Sequence, residues 1–378
     1  MRKIYLERFA FIAFIVSLFL CNGATRTYAQ QQSTFVDSTL SHTLFLDIDA
    51  TAFFRDAEFF LPYTKGYTAS GVRIAPTLCY GINEKATIRG GILLTAVAGS
   101  DKYGKVQPIL SIHYKPFDWA EFIMGTIQGS TLHKMGVPMY DMERWYYDYK
   151  EDGLQLLTNT KHWESDTWLN WEELLEPWTP NQERFTLGTR QVAKFQLNRL
   201  ALTVPLGFMG CHRGGQFSTL DTCIETLFNE SAGFTANYEF HGSNVGFALP
   251  FYFYQKTTST PERHIPFDKG WGVYPQLNFS TSGASNCLSV TCGYWYGYQY
   301  ISPRGSYLFQ SISWHDIDFA QQERHMITAT INYVHSYKQL WLNLHTQFYY
   351  DTDHSALDLA IGVTMGWNSK FRLLTTNH

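Results

Sequence analysis

The 378-residue sequence lacks several features that would place it in a familiar functional class. Beyond residues 9–20 it contains no apolar run of the roughly 18 residues that a membrane-spanning helix requires. Its 29 Lys and Arg are outnumbered by 33 Asp and Glu, so the charge balance argues against a nucleic-acid partner. The motifs HExxH, GxxxxGKS/T, CxxC and GxSxG are absent, and we therefore expect neither a metal site nor a cofactor.

Cysteine is also scarce, with six residues in the whole chain. Cys21 lies in the N-terminal segment, and the other five are an odd number, which leaves at least one free thiol in an exported protein. Cys211 and Cys223 fall in one predicted loop and form a candidate disulfide, while the alternative leaves both reduced.

The N-terminus has the three parts of a secretory signal peptide. A basic start, MRKIYLER, precedes the apolar core FAFIAFIVSLFL, and the small-residue stretch CNGATRTYA follows. The apolar core is shorter than the roughly 20 residues that a transmembrane helix needs. We expect residues 1–29 to be removed after Ala29, which makes this an exported protein.

Aromatic residues and glycine are abundant, and apolar residues alternate with polar or small ones. In SALDLAIGVTMGWN, residues 355–368, Leu357, Leu359, Ile361, Val363 and Met365 share one face, while Asp358 and Thr364 lie on the other. Alternation with a period of two predicts β-strands with one apolar face. Sixteen such segments follow one another between residues 43 and 367, which indicates an all-β protein.

The connections between these segments alternate between short and long. The short connections include residues 81–83, and the long ones include residues 56–66, 131–152, 211–230, 257–270 and 301–323. Short periplasmic turns and long outer loops are typical of a closed, antiparallel, up-and-down transmembrane β-barrel. We expect about 16 strands, within a range of 12 to 18, with a periplasmic segment at 30–42, the barrel at 43–371 and a tail at 372–378.

Two stretches resemble segments of outer-membrane barrels of the Bacteroidota type, a poorly characterised group. They are WLNWEELLEPWTPNQERFTLG, residues 168–188, and CHRGGQ, residues 211–216. The resemblance implies a porin-like barrel in the outer membrane of a Gram-negative bacterium. It brings no catalytic residues with it, because these stretches have no known chemical role.

Charged residues on the non-lipid faces are the first functional candidates. Strand parity predicts that eight of them point into the lumen, namely Asp47, Asp49, Arg73, Arg89, Arg184, Arg190, His345 and Asp358. Opposed charges in an aqueous lumen select ions or polar solutes, although such residues also pair merely to satisfy a polar interior. We therefore expect a passive channel for small polar solutes or ions, and not an enzyme.

Two alternatives to the channel stay open. The first is a structural or interaction barrel that presents surface loops or belongs to an envelope complex. The second is a lipid-modifying hydrolase, because His241 and Ser243 in FHGSNVG resemble the active-site string of outer-membrane lipid hydrolases. The same Gly-Ser-Asn string also suits a tight hairpin turn.

The aromatic cluster of the third outer loop also permits several roles. Trp145, Tyr146, Tyr147 and Tyr149 in ERWYYDYKEDG are suited to stacking on sugars or on a partner, to folding into the pore, or to lying at the membrane interface. The expected partners are the lipid bilayer, lipopolysaccharide and small polar solutes, without nucleic acid, and an oligomer stays open.

Overall fold

The computed structural model describes residues 36, 40–99, 104–174, 182–214, 224–257, 265–283 and 285–375. The predicted signal peptide, residues 1–29, lies outside this part of the chain. The strands are β1 Thr43–Glu58, β2 Tyr67–Asn83, β3 Ala86–Val97, β4 Lys105–Phe117, β5 Ala120–Thr126, β6 Asp152–Asn159, β7 Trp163–Glu173, β8 Arg184–Leu197, β9 Leu200–Arg213, β10 Glu225–Phe240, β11 Ser243–Lys256, β12 Lys269–Val273, β13 Gln276–Ser282, β14 Asn286–Tyr298, β15 Glu323–Tyr337, β16 Leu340–Asp351 and β17 Ala356–Thr375.

The sheet closes on itself as a barrel. Neighbouring strands pair antiparallel throughout, and β1 pairs with both β2 and β17, from Thr43 opposite Thr375 to Glu58 opposite Leu359. The segments β12 and β13 both lie between β11 and β14, so together they form one barrel strand. The predicted closed, antiparallel, 16-stranded barrel is thereby confirmed. Closure is required in a bilayer, since an open sheet edge would leave backbone groups without hydrogen bonds.

The break between β12 and β13 has a local cause at Tyr274 and Pro275. Proline has no N–H to donate to a neighbouring strand, so the ladder is interrupted there. Tyr274 turns into the barrel and is buried, and its hydroxyl lies 2.6 Å from Thr328 Oγ1. The interruption therefore places an aromatic side chain inside the lumen.

Side chains alternate between the two faces of each strand as the sequence predicts. On β1, Phe53 and Arg55 point inward and are buried, whereas Phe54 between them is exposed on the outer face. Exposed leucine, isoleucine, valine and aromatic side chains recur at every second position of most strands. In a closed barrel this outer face contacts lipid, and the polar face lines the interior.

The first and last residues of the barrel wall lie at the end of the barrel that carries the short turns. The hairpins between β2 and β3, β4 and β5, and β10 and β11 each contain two residues, and Thr43 and Thr375 lie at the same end. We call this the inner end and expect it to face the periplasm. The last strand continues to Thr375, four residues beyond the expected barrel boundary at 371, because β1 supplies pairing partners up to that point.

Two long outer loops fold back into the lumen. Residues 127–151 contain a 3-10 turn, Ser130–His133, and the four-residue helix α1, Arg144–Tyr147, while residues 299–322 contain the 3-10 turn Tyr307–Phe309. Their side chains pack against inward residues of the wall and form the core of the protein. Among the described residues, no helix has the length and apolarity to cross a membrane.

Candidate functional site

A serine, a histidine and a glutamate lie in a line on the inner surface of the β4–β5 hairpin. Ser111 Oγ is 3.0 Å from His113 Nε2, and His113 Nδ1 is 2.9 Å from Glu121 Oε1. All three side chains are buried. We call this group the Ser–His–Glu triad. Its order and distances are those of a nucleophile, a general base and the carboxylate that orients the base.

The local fold explains why these three side chains meet. Ser111 and His113 are two residues apart on β4, so both point to the same side of the sheet. The turn after Phe117 reverses the chain, and β5 pairs with β4 so that Ile123 lies opposite His113. Glu121, two residues from Ile123, therefore reaches the imidazole diagonally. No sequence motif marks this triad, although strand parity alone puts all three side chains on the lumen face.

The triad borders a cavity of about 520 Å³ in the inner half of the lumen. On β3, Arg89 lies opposite Ser111 and also lines the cavity, as does Ile109, which precedes Ser111 by two residues. Ser111 and His113 are each only 1 % exposed, so the reacting atoms are covered in this conformation. The side chain of Arg89 thus lies at the boundary between the cavity and the triad.

Four of the eight predicted lumen residues line this cavity together. Asp47 and Asp49 of β1, Arg73 of β2 and Arg89 of β3 lie on neighbouring strands, as strand parity predicts. Arg89 Nη2 is 4.0 Å from Asp47 Oδ2, and Asp49 Oδ2 accepts a hydrogen bond of 2.8 Å from Asn368. Two acids and two arginines therefore lie together in one sector of the wall.

The other four predicted lumen residues lie elsewhere. Arg190 binds Glu164 at 3.0 Å on another part of the wall. Arg184 stands half-exposed at the outer end of β8 beside Glu173, because parity fixes its face but not its height in the barrel. The remaining two hold outer loops: His345 Nε2 lies 3.0 Å from Tyr146 Oη, and Asp358 accepts a hydrogen bond of 2.7 Å from the backbone N–H of Phe60.

The loop aromatic cluster lies inside the barrel, over Arg73. The Arg73 guanidinium is 3.9 Å from the ring centre of Trp145 and 4.2 Å from that of Tyr149. Tyr146 packs edge-on against Phe53 of β1, whereas Tyr147 is exposed. Of the three roles considered for the cluster, the structure favours folding into the pore.

A buried histidine fixes the same loop to the wall. His133 Nδ1 is 2.8 Å from Asp166 Oδ2, and Nε2 is 3.1 Å from Glu151 Oε2. Burial opposes a charge on the ring, but the two carboxylates outweigh it and raise the pKa of His133 to about 9. Burial likewise acts on Glu151, yet the histidine cation lowers the pKa of this carboxyl group to about 2. A protonated histidine between two carboxylates is a poor general base, so this cluster holds the loop in place.

The residues proposed from the FHGSNVG string lie in a tight hairpin. His241 and Gly242 form the two-residue turn between β10 and β11, with φ angles of 46° and 76°. Ser243 begins β11, and neither side chain has a hydrogen-bond partner in the part of the chain that the structure describes. The geometry therefore provides no third group that would orient His241.

The structure describes one of the two cysteines of the candidate disulfide. Cys211 is buried, with Thr186 Oγ1 3.7 Å from its Sγ, but Cys223 lies outside the described residues and the disulfide stays a prediction. Within residues 36–375 as described, no group of three or more His, Cys, Asp or Glu side chains converges as metal ligands do.

Comparison with solved structures supports the fold. The loop L8 deletion mutant of OmpT, an outer membrane protein of Vibrio cholerae, matches at 10% identity with a TM-score of 0.53, covering 86% of this chain and 99% of that one. OprD of Pseudomonas aeruginosa matches at 9% identity and 0.51, covering 92% and 100%. OprB of Pseudomonas putida matches at 10% identity and 0.51, covering 87% and 94%. The barrel thus resembles Gram-negative outer-membrane proteins.

Sequence comparison identifies the family. A search of curated proteins finds no match. A family model described as "Lipid A 3'-O-deacylase-type" matches residues 35–376, nearly the whole chain. The expectation that this protein is not an enzyme is therefore wrong, since a deacylase-type family indicates an enzyme. The protein is a barrel of the Gram-negative outer membrane and belongs to the lipid A 3'-O-deacylase-type family.

Proposed function

We propose that this protein is an outer-membrane hydrolase that cleaves acyl esters of an envelope lipid, in keeping with its deacylase-type family. Ser111 is the nucleophile, His113 is the general base, and Glu121 orients the imidazole. The observation that carries the proposal is the pair of contacts at 3.0 Å and 2.9 Å that connect the three side chains. The substrate class follows from the family, and lipopolysaccharide is the expected source.

The chemistry follows from the order of the three groups. With the ring proton on Nδ1, His113 donates to Glu121 and keeps Nε2 free to accept the Ser111 proton. Ser111 Oγ then attacks the acyl carbonyl carbon, the ester bond between this carbon and the sugar oxygen breaks, and the protonated His113 passes its proton to the departing oxygen. Water, activated by the same imidazole, attacks the acyl-serine, which releases the fatty acid and restores Ser111.

Substrate access requires a local movement, because Ser111 and His113 are covered. Arg89 lines the cavity and lies opposite Ser111 in the β3–β4 pairing. A shift of the Arg89 side chain would uncover Ser111 Oγ. The same guanidinium would then stand next to the oxyanion that forms during attack, where a cation stabilises negative charge.

The passive channel expected from the sequence has less support than the hydrolase. The two loops that fold inward fill the outer half of the lumen with buried side chains, including Tyr300 and Phe309, which pack against Trp295 of β14. A polar solute would have to displace this packed core to pass through the barrel. No comparable observation among the described residues favours the other alternative, a structural or interaction barrel.

The test is release of fatty acid from lipopolysaccharide by the purified protein in detergent micelles. We expect Ser111→Ala and His113→Asn each to reduce turnover about 10⁶-fold, the loss that removal of a triad serine or histidine causes in serine hydrolases. Ser243→Ala is the matched control, because it removes the other serine that lies two residues from a histidine, and it should keep full turnover. Melting curves by circular dichroism confirm that each variant is folded. Full activity of Ser111→Ala would contradict the proposal.

A further inference from the structure

The cavity in the inner half of the lumen has the dimensions of a small-molecule site. Its volume is about 520 Å³, within the range of roughly 300–1,000 Å³ that ligand pockets occupy. Strands β1 to β4 and β17 form its wall, and the inward-folded loop covers it with Trp145 and Tyr149. It extends to Gln339 in the inner hairpin between β15 and β16, at the end of the barrel that we expect to face the periplasm.

Arg73 is the most distinctive group in this cavity. Its guanidinium packs against the rings of both Trp145 and Tyr149, and Nη1 donates a hydrogen bond of 2.6 Å to the backbone oxygen of Trp145. The residue is only 4 % exposed, and Nη2 is buried without a hydrogen-bond partner among the described residues. A buried guanidinium nitrogen without an acceptor is costly. A ligand with an anionic oxygen would satisfy it.

The charges around the cavity also favour an anion. Arg73, Arg89 and Lys370 line it together with only two carboxylates, Asp47 and Asp49. Lys150 also lines it but is already bound to Asp152. Asp47 faces Arg89, and Asp49 is held by hydrogen bonds from Asn368 and Thr51. Asp49 also acts on Arg73 through space but shares no hydrogen bond with it, so Arg73 and Lys370 keep N–H groups that a negative group can bind, and the fork of a guanidinium suits phosphate.

The rest of the lining suits a sugar ring. Gln339 offers an amide group to sugar hydroxyls, while Leu93, Ile109 and the Trp145 ring offer apolar surface to its C–H face. We propose that this cavity binds a small phosphorylated sugar that enters from the periplasm. This site goes beyond the proposed hydrolase, because it requires neither Ser111 nor His113.

The test is isothermal titration of the full-length mature protein in detergent, with Ser111→Ala used so that hydrolysis does not interfere. The probes are glucose 6-phosphate, glucose and inorganic phosphate. We expect the sugar phosphate to bind at least about tenfold more tightly than either of the other two, because only it uses both the cationic and the sugar-binding surfaces. Equal affinity for glucose or for inorganic phosphate would overturn the proposal, as would no measurable binding.

Two arginine variants test the position of the site. Arg73→Gln should weaken binding of glucose 6-phosphate about tenfold or more. Arg190→Gln is the matched control, because Arg190 also faces the lumen but binds Glu164 away from the cavity, and it should leave the affinity unchanged. An unchanged affinity in Arg73→Gln, with melting curves showing a folded protein, would overturn the proposal.

A competition experiment separates the soluble ligand from a lipid headgroup. A phosphorylated glycolipid in mixed micelles is added before titration with glucose 6-phosphate. Unchanged binding of the soluble sugar supports a periplasmic solute as the ligand. Displacement of the sugar by the glycolipid would overturn that part of the proposal. Because all arms measure binding in a Ser111→Ala background, they are independent of whether Ser111 is the nucleophile.

Discussion

The imidazole of His133 lies parallel to the indole of Trp168, with ring centres 3.6 Å apart and planes 12° apart. One ring belongs to the inward-folded loop and the other to β7, so the contact joins the loop to the barrel wall. The carboxylates of Asp166 and Glu151 bind the two nitrogens of the same imidazole. The loop is therefore held by a cation that is stacked on an indole and paired with two acids.

This contact predicts that attachment of the loop depends on pH. The pKa of His133 is about 9 in the folded protein and about 6.5 in the unfolded chain, so its stabilising contribution is complete below about 6.5 and is lost as the pH rises through 9. The depressed pKa of Glu151 acts in the opposite sense, and its contribution is lost as the pH falls towards 2. The protection of residues 127–151 against hydrogen exchange, relative to the intrinsic exchange rate at each pH, should fall between pH 7 and 10. His133→Gln should reduce this dependence on pH. An identical pH profile of protection in that variant would contradict the prediction.

A glycine next to the same indole predicts a strong effect of a single methyl group. A Cβ at Gly188 would lie 2.2 Å from Cζ2 of Trp168, which is buried and stacked on His133. Gly188→Ala should therefore destabilise the protein by about 1–3 kcal/mol through overpacking. Gly90→Ala is the control, because a Cβ there meets nothing within 4 Å. Thermal unfolding compares the two, and equal melting temperatures would contradict the prediction.

The second inward loop predicts a contrast between buried and exposed ion pairs. Arg324 and Asp351 are fully buried with N and O atoms 3.2 Å apart, and Arg324 also donates to the backbone oxygens of Gln310 and Leu308 in this loop. Asp351→Ala leaves an unpaired buried cation and should cost about 3–5 kcal/mol. Asp268→Ala removes the partner of Lys256 at the surface and should cost less than about 1 kcal/mol. Denaturant unfolding measures both changes in the free energy of unfolding, and similar losses in the two variants would contradict the prediction.

The inward-folded loops also predict an electrically silent barrel. In planar bilayers, the native protein should give no conductance steps, because packed side chains fill the outer half of the lumen. Replacing residues 131–149 by a short Gly-Ser linker should open the half of the lumen that borders β1, β2 and β7. Regular conductance steps from the native protein would show that the loops leave a path.

The fold was predictable from the sequence because strand parity and lipid exposure act locally. Outward residues such as Leu357 and Met365 alternate with Asp358 and Thr364, and the structure places them on the two expected faces. The deviations come from single residues. Pro275 interrupts a strand that the alternation had treated as continuous, and pairing with β1 extends the last strand past residue 371.

The functional site was only partly predictable. Parity put Asp47, Asp49, Arg73 and Arg89 on the lumen face of neighbouring strands, and they do line one cavity. The same rule could not set the height of Arg184, nor show that His345 and Asp358 would meet loop residues far away in the sequence. The FHGSNVG string drew attention to His241 and Ser243, whereas the arrangement of a serine, a histidine and a carboxylate is on β4 and β5.

By itself, the sequence determined the closed barrel, because the period of two and the requirement to satisfy backbone hydrogen bonds in lipid leave few other solutions. Only the tertiary structure decided that the barrel is filled. The contacts of His133 with Trp168 and of Arg324 with Asp351 join segments that no local pattern relates. They form because buried charges need partners, and those partners come within reach only after the wall has closed.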